Sequence, residues 1–292
     1  MAYKKHKIIK QYPLGRLELP PDHRDYKLEN IHKLSLRGYA PPPQKVYRKP
    51  RYILNQDDTA ACVGFAWTHL RIGPPYQDLK LTNADGLALY CKARAIRGDA
   101  ACDKYAGTDT RAGAQAAQAK GYISTYAFTY NVRTVERHVK MWNGVIVGIP
   151  WYSDMFTPDS RGFIKPGGDL VGGHEVYVCG ADSTLDPLHT VFQIANSWGD
   201  TWGQRGFCYI MSHDLQYLIN RGGEAATVVE LPLPKALIKP KLQTKEVCHG
   251  YQNQNKLRHR CHRPPRRVPK RRLRLWSRPR RGNRQDSALS YL

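Results

Sequence analysis

Between Asn55 and Pro232 the hydrophobic pattern changes period once, close to residue 143, and that single change limits the folds open to the chain. Ahead of it, apolar residues recur at helical spacing. The first such segment is CVGFAWTHL, Cys62 to Leu70, with Asp58 and Thr59 as candidate caps. A second runs from Asn83 as cap along Leu87, Tyr90, Cys91 and Arg94 to Gly98 as terminator. A third runs from Thr108 or Thr110 to Lys120 with Gly121 behind it, and a short one from Thr134 to Trp142. Beyond the change lie strand-like runs at 145–152, 174–180, 190–196, 206–212 and 225–231. Helices first and strands afterwards predict an α+β architecture with a helical lobe, a strand-rich lobe and a cleft between them.

Charge divides the chain differently. The 292 residues carry a formal +22, but residues 233–292 hold 18 Lys and Arg against Glu246 and Asp286, which leaves +6 for everything before them. The stretch from Lys256 to Arg284 is too charged and too broken by proline to build a core, so a disordered tail over 233–292 is expected. Its Arg-rich composition, with Trp276 able to stack on an unpaired base, makes nucleic acid or another polyanion its candidate partner, with a solvated appendage as the alternative. Its Cys248-His249 and Cys261-His262 pairs lack zinc-ligand spacing, and neither metal nor cofactor is expected. The N-terminal MAYKKHKIIKQYPLGRLELP has no signal-type apolar region, and the apolar stretch at 145–151 is too short to span a membrane. Seven cysteines without disulfide spacing predict mostly free thiols, a Cys91–Cys102 bridge being left open. The expected location is cytoplasmic or virion-associated.

Three residues carry a chemical constellation. A thiol nucleophile must ionise, which a helix N-terminus and a neighbouring imidazolium both favour, and Cys62 opens a helix. His174 opens a strand behind Gly172-Gly173, and Asn196, closing the next strand, is placed to hold the second ring nitrogen. The motifs NQDDTAACVGFAW (55–67), GGHEV (172–176) and NSWGDTWGQRGFCYI (196–210) follow in that order, and across about residues 18–231 the chain resembles the papain family of cysteine peptidases.

That resemblance implies a two-lobed papain-like fold, with a helical lobe at about 51–130 and an antiparallel β lobe at about 131–232 within a domain of 18–232 preceded by a 1–17 extension. It implies Cys62 as nucleophile, His174 as acid and base, Asn196 as orienter of the ring, and Gln56 with the Cys62 N–H as the oxyanion hole. The expected reaction is hydrolysis of a protein or peptide through a thioester, with transfer of the acyl group to an amine left open. Trp198 is expected to shield the Asn196–His174 contact, Gly173 to let a backbone approach, and Glu175 either to face a subsite favouring a basic side chain or to serve the structure.

Three departures from the family bear on these expectations. Val63 and Thr59 replace the Trp and Cys usual around the nucleophile. No Cys-Asn-Gly-Gly segment lines the cleft, for which Gly107-Thr108 or Gly113 are the substitutes. The segment ahead of Gln56 is too short and Pro-rich for a conventional inhibitory prosegment, with fewer than 20 residues left for any inhibitor.

Overall fold

Described by the computed structural model are residues 12–35, 41–99 and 101–229; the basic tail, and with it the polyanion reading, lies outside them. Helix α1 (Leu28–Ser35) arises within the Pro-rich lead-in, where the sequence shows no sustained period, by burying Leu28 against Ala127 and Val229. A short strand β1 (Lys45–Tyr47) follows. Helix α2 (Cys62–Ile72) buries every residue except Arg71, as a helix apolar on all sides must. It packs against α3 (Asn83–Ile96), α4 (Thr110–Ala119) and the strands described below.

Helix starts depart from the expected caps. Thr59 does not cap α2, because its hydroxyl donates to the Gln56 carbonyl, and Ala61 occupies the cap position without a side-chain bond. Thr82 rather than Asn83 caps α3, in a capping box with Asp85, and Asp109 caps α4 by accepting from Ala112 N. Gly98 and Gly121, both at positive φ, lie just past the ends of α3 and α4. The turn at Gly98 brings Cys102 back to Cys91, and the two form a disulfide with a Cα–Cα distance of 5.0 Å; these two cysteines are therefore not free thiols. Cys62, Cys179 and Cys208 are free and buried.

The second half is dominated by strands. After β2 (Tyr126–Thr129) and helix α5 (Val132–Met141) come β3 (Val145–Tyr152), β4 (Leu170–Asp182), β5 (Val191–Ala195), β6 (Phe207–Met211), helix α6 (Ser212–Ile219) and β7 (Glu224–Val228). They form one antiparallel sheet in the order β2-β7-β3-β4-β5-β6, with β1 paired to the far end of β4. One face of the sheet covers a core that includes Trp151, Val176, Ile194 and Leu215. A second core, with Val63, Trp67, Leu89 and Ala114, joins the helices to Ile146, Tyr177 and Ala195 of the sheet. The architecture is α+β, with the helical layer set against β4, and none of the described helices is long and apolar enough to cross a membrane.

Candidate active site

Cys62 is the first residue of α2, so its side chain sits where the helix presents unbonded N–H groups. The helix axis ends against β4, and the backbone N–H groups of Glu175 and Gly15 face the sulfur. His174 precedes Glu175 on the same strand. Its Nε2 lies 2.8 Å from Asn196 Oδ1. An amide oxygen can only accept, which assigns the hydrogen to Nε2 and leaves a lone pair on Nδ1. Nδ1 has no hydrogen-bond partner. Asn196 is fixed at the end of β5, its Oδ1 also accepting from Ser197 N at 2.7 Å.

The loop after Asn196 orients Gln56 too. Gln56 N donates to Ser197 O at 2.8 Å, and Ser197 Oγ donates to Gln56 Oε1 at 2.6 Å, which turns the Gln56 amino group away from Ser197. Nε2 donates to Thr59 O at 2.6 Å and to Pro13 O at 3.2 Å. The indole of Trp198 stacks on the His174 ring with centroids 4.6 Å apart, and Trp151 meets the same ring edge-on at 4.9 Å. These contacts gather Cys62, His174, Asn196, Gln56 and Trp198 at the junction of helices and sheet.

What the sequence did not reveal is that residues Tyr12–Leu17 lie over this junction. Tyr12 stacks on Trp198 at 4.6 Å. Pro13 presents its carbonyl to Gln56, and Gly15 N and Arg16 N both donate to Gly173 O, at 3.1 and 2.9 Å. On the helical side Thr108 N donates to Gly15 O at 2.9 Å and Leu17 N to Thr108 O at 2.7 Å, a parallel bridge. Thr108 therefore supplies the cleft-lining backbone, whereas Gly113 is buried in α4 against Val63 and Trp67. Gly173 has to be glycine here, since a Cβ would run into the Arg16 carbonyl. Beyond Tyr12 and Pro13 the cleft opens into a groove of ≈ 710 Å³ between Asn55, Asp57 and Asp58 on one side and Val171 on the other.

Covering the site strips it of water. Burial pushes the Cys62 thiol up to about 12, with the Glu175 carboxyl adding in the same direction, and burial brings His174 down to about 4 against the opposing Asn196 bond. Both groups are thus neutral in the covered state. Glu175 is also fully buried and held up at about 8 by desolvation, with Thr110 Oγ1 donating to its Oε2 at 2.7 Å. Among the described residues no group of three or more His, Cys, Asp or Glu is arranged to hold a metal.

The sequence profile of the papain family cysteine proteases matches residues 83–226, a stretch that holds His174 and Asn196 but begins after Gln56 and Cys62. Over that stretch, just under half of its length, the chain resembles the papain family. Cathepsin B-like cysteine proteinase 3 of Ostertagia ostertagi is 31% identical over 84 residues, covering 29% of this chain and 47% of that protein. Cathepsin B-like cysteine proteinase 6 of Caenorhabditis elegans is 27% identical over 88 residues, covering 30% and 23%. The chain thus matches less than half the length of those relatives. Xylellain, a cysteine protease from Xylella fastidiosa, superposes with a TM-score of 0.54 at 18% identity, over 78% of this chain and all of that structure, and so shares its fold.

Proposed function

We propose that this chain is a papain-family cysteine endopeptidase that cleaves proteins or peptides through a thioester intermediate, with Cys62, His174, Asn196 and Gln56 as its machinery. One observation carries the reading: an imidazole whose Nε2 is held by an asparagine oxygen and whose Nδ1 has no bond directly precedes, on its strand, the residue whose N–H faces a cysteine at a helix N-terminus. Nδ1 is then the atom that takes the thiol proton. The sulfur attacks the peptide carbon, and the carbonyl pair moves onto oxygen, stabilised by Gln56 Nε2–H and the Cys62 backbone N–H. His174 returns the proton to the departing amine as the C–N bond breaks. Water then attacks the thioester with His174 as base and restores the thiol.

The Pro13 carbonyl on Gln56 Nε2 supports the oxyanion assignment, because a peptide oxygen already accepts from that donor. Residues 12–17 also occupy the path of a substrate backbone, so turnover needs this segment to leave. Its departure readmits water, and with the α2 N-terminus lowers the thiol towards the range where a thiolate forms.

The test is labelling by an epoxide thiol inhibitor together with peptide cleavage by the full chain. Selective modification at Cys62, cleavage lost in Cys62→Ala, and a drop on the order of 10² to 10³ in kcat for Gln56→Ala are expected. Cleavage undiminished in Cys62→Ala would overturn the proposal.

A further inference from the structure

Gln56 enters the cleft from a tight turn. Thr59 N donates to Gln56 O at 3.1 Å and closes it, while Asp57 inside it takes a φ of 51°, a left-handed conformation that an L side chain adopts only when its surroundings impose it. Asn55 Oδ1 holds one end by accepting from Asp57 N at 3.0 Å. At the other end Thr59 Oγ1 donates to Gln56 O at 2.6 Å. In return Gln56 Nε2 donates to Thr59 O, also at 2.6 Å, so the two buried residues are bonded reciprocally. The peptide unit that carries Thr59 O is held from its far side as well, since Ala60 N donates to Lys104 O at 2.7 Å.

Without the hydroxyl, Gln56 O would still accept from Thr59 N, so the second bond adds constraint rather than satisfaction. What it constrains is an amide. A glutamine has two N–H donors set in one plane with its oxygen. Ser197 Oγ fixes the oxygen end, Thr59 O takes one N–H, and the other is left one direction, in which Pro13 O accepts at 3.2 Å. Cys62, whose N–H is the second donor of the hole, follows three residues after Thr59, so the same turn sets the spacing of both donors. Such donors act within about 2.7–3.1 Å of the oxyanion, and a small shift of the Thr59 carbonyl is therefore felt in the rate. Thr59 is also a position where the chain departs from the family, so the resemblance gives it no role.

We infer that Thr59 is a positioning residue of the oxyanion hole. Its hydroxyl, bonded to the Gln56 carbonyl, holds the turn so that the Thr59 carbonyl ties down one hydrogen of the Gln56 amide and aims the other at the oxyanion. The inference rests on the peptidase proposal, and within it on Gln56 as a donor; Thr59 acts through Gln56 and touches neither thiol nor substrate.

The test measures kcat and KM of the full chain on a quenched-fluorescence peptide, with kcat counted per Cys62 labelled by the epoxide. Thr59→Val keeps the shape and removes the hydroxyl; kcat is expected to fall on the order of tenfold with KM within about twofold of the parent. Thr59→Ser, which keeps the hydroxyl, is expected to stay within about threefold of the parent kcat. In a Gln56→Ala background, Thr59→Val is expected to cost nothing further, because the donor it positions is gone. If Thr59→Val fails to fold, Thr59→Ala is read in the same way. A lower urea midpoint with kcat per labelled Cys62 unchanged, an equal loss in Thr59→Ser, or a full further loss in the Gln56→Ala background overturns the inference and leaves the peptidase proposal standing. Cleavage that survives Cys62→Ala, or a parent chain that cuts no peptide, overturns the peptidase proposal and the positioning role with it.

Discussion

His174 and His138 are both buried, and both have Nε2 within hydrogen-bond range of an asparagine oxygen, at 2.8 Å from Asn196 and 3.0 Å from Asn143. Burial deprives each of its charge, lowering His174 to about 4 and His138 to about 3. They differ at Nδ1. In His138 that nitrogen lies 3.1 Å from His32 Nε2, whose ring stacks on it and ties α1 to α5, whereas in His174 it has no partner and stands beside the strand position that Cys62 touches. A shifted pKa and an asparagine are therefore common to both, and what sets His174 apart from His138 is the unbonded Nδ1, which buried His69 also has but without an asparagine on its Nε2.

The largest effect that separates the two comes from deleting each ring. His174→Ala is expected to lower kcat by on the order of 10⁴ or more while the urea midpoint stays near that of the parent chain. His138→Ala is expected to leave Cys62 labelling in place and to cost about 2–4 kcal/mol of stability, since it removes a packed ring and orphans His32, Asn143 and Thr227. Turnover lost equally in both variants would remove the contrast.

Legibility from sequence follows how local each cause is. Helix α2 and strand β3 were readable because their patterns lie within the segment itself, and β3 matches its expected bounds of 145–152. Helix α1 was not, because what stabilises it is burial of Leu28 against Val229, about two hundred residues away. Helix α6 and strand β2 were missed for the same reason, each being a short element held by neighbours, β6, α5 and β3 for the helix and β7 for the strand. Cys62, His174, Asn196 and Gln56 could be named because ordered motifs surround them. Their covering could not, since nothing in PLGRL announces that its backbone bonds to Gly173 and Thr108.

A second, smaller effect is the pH dependence of stability. Both histidines have folded values below the ordinary one near 6.5, so the unfolded chain takes up protons first as pH falls. Their contribution is complete above about pH 6.5 and declines as pH drops towards their folded values, with each histidine adding a slope of up to about 1.4 kcal/mol per pH unit. Urea unfolding between pH 7 and 4 measures it. His138→Gln is expected to remove one such increment, and His174→Gln another. An unchanged slope in His138→Gln would mean that the His32–His138 pair already carries a proton near neutral pH, and the likeness of the two sites would fail.

The smallest effect compares the two asparagines. Asn143 Oδ1 shares His138 with Thr227 Oγ1, which lies 3.1 Å from His138 Nε2, so Asn143→Ala leaves that nitrogen a partner. The expected cost is about 1–2 kcal/mol of stability with Cys62 labelling unchanged. His174 Nε2 has no such substitute among the described residues, and Asn196→Ala leaves the ring held by stacking on Trp198 and Trp151 alone. A ring free to rotate between those indoles mispositions Nδ1, and kcat is expected to fall by roughly 10- to 100-fold. If Asn196 positions the ring, Asn196→Gln, with the same amide one methylene further out, recovers part of the lost rate. If it serves only the fold, both variants lower the urea midpoint and neither changes kcat per labelled Cys62.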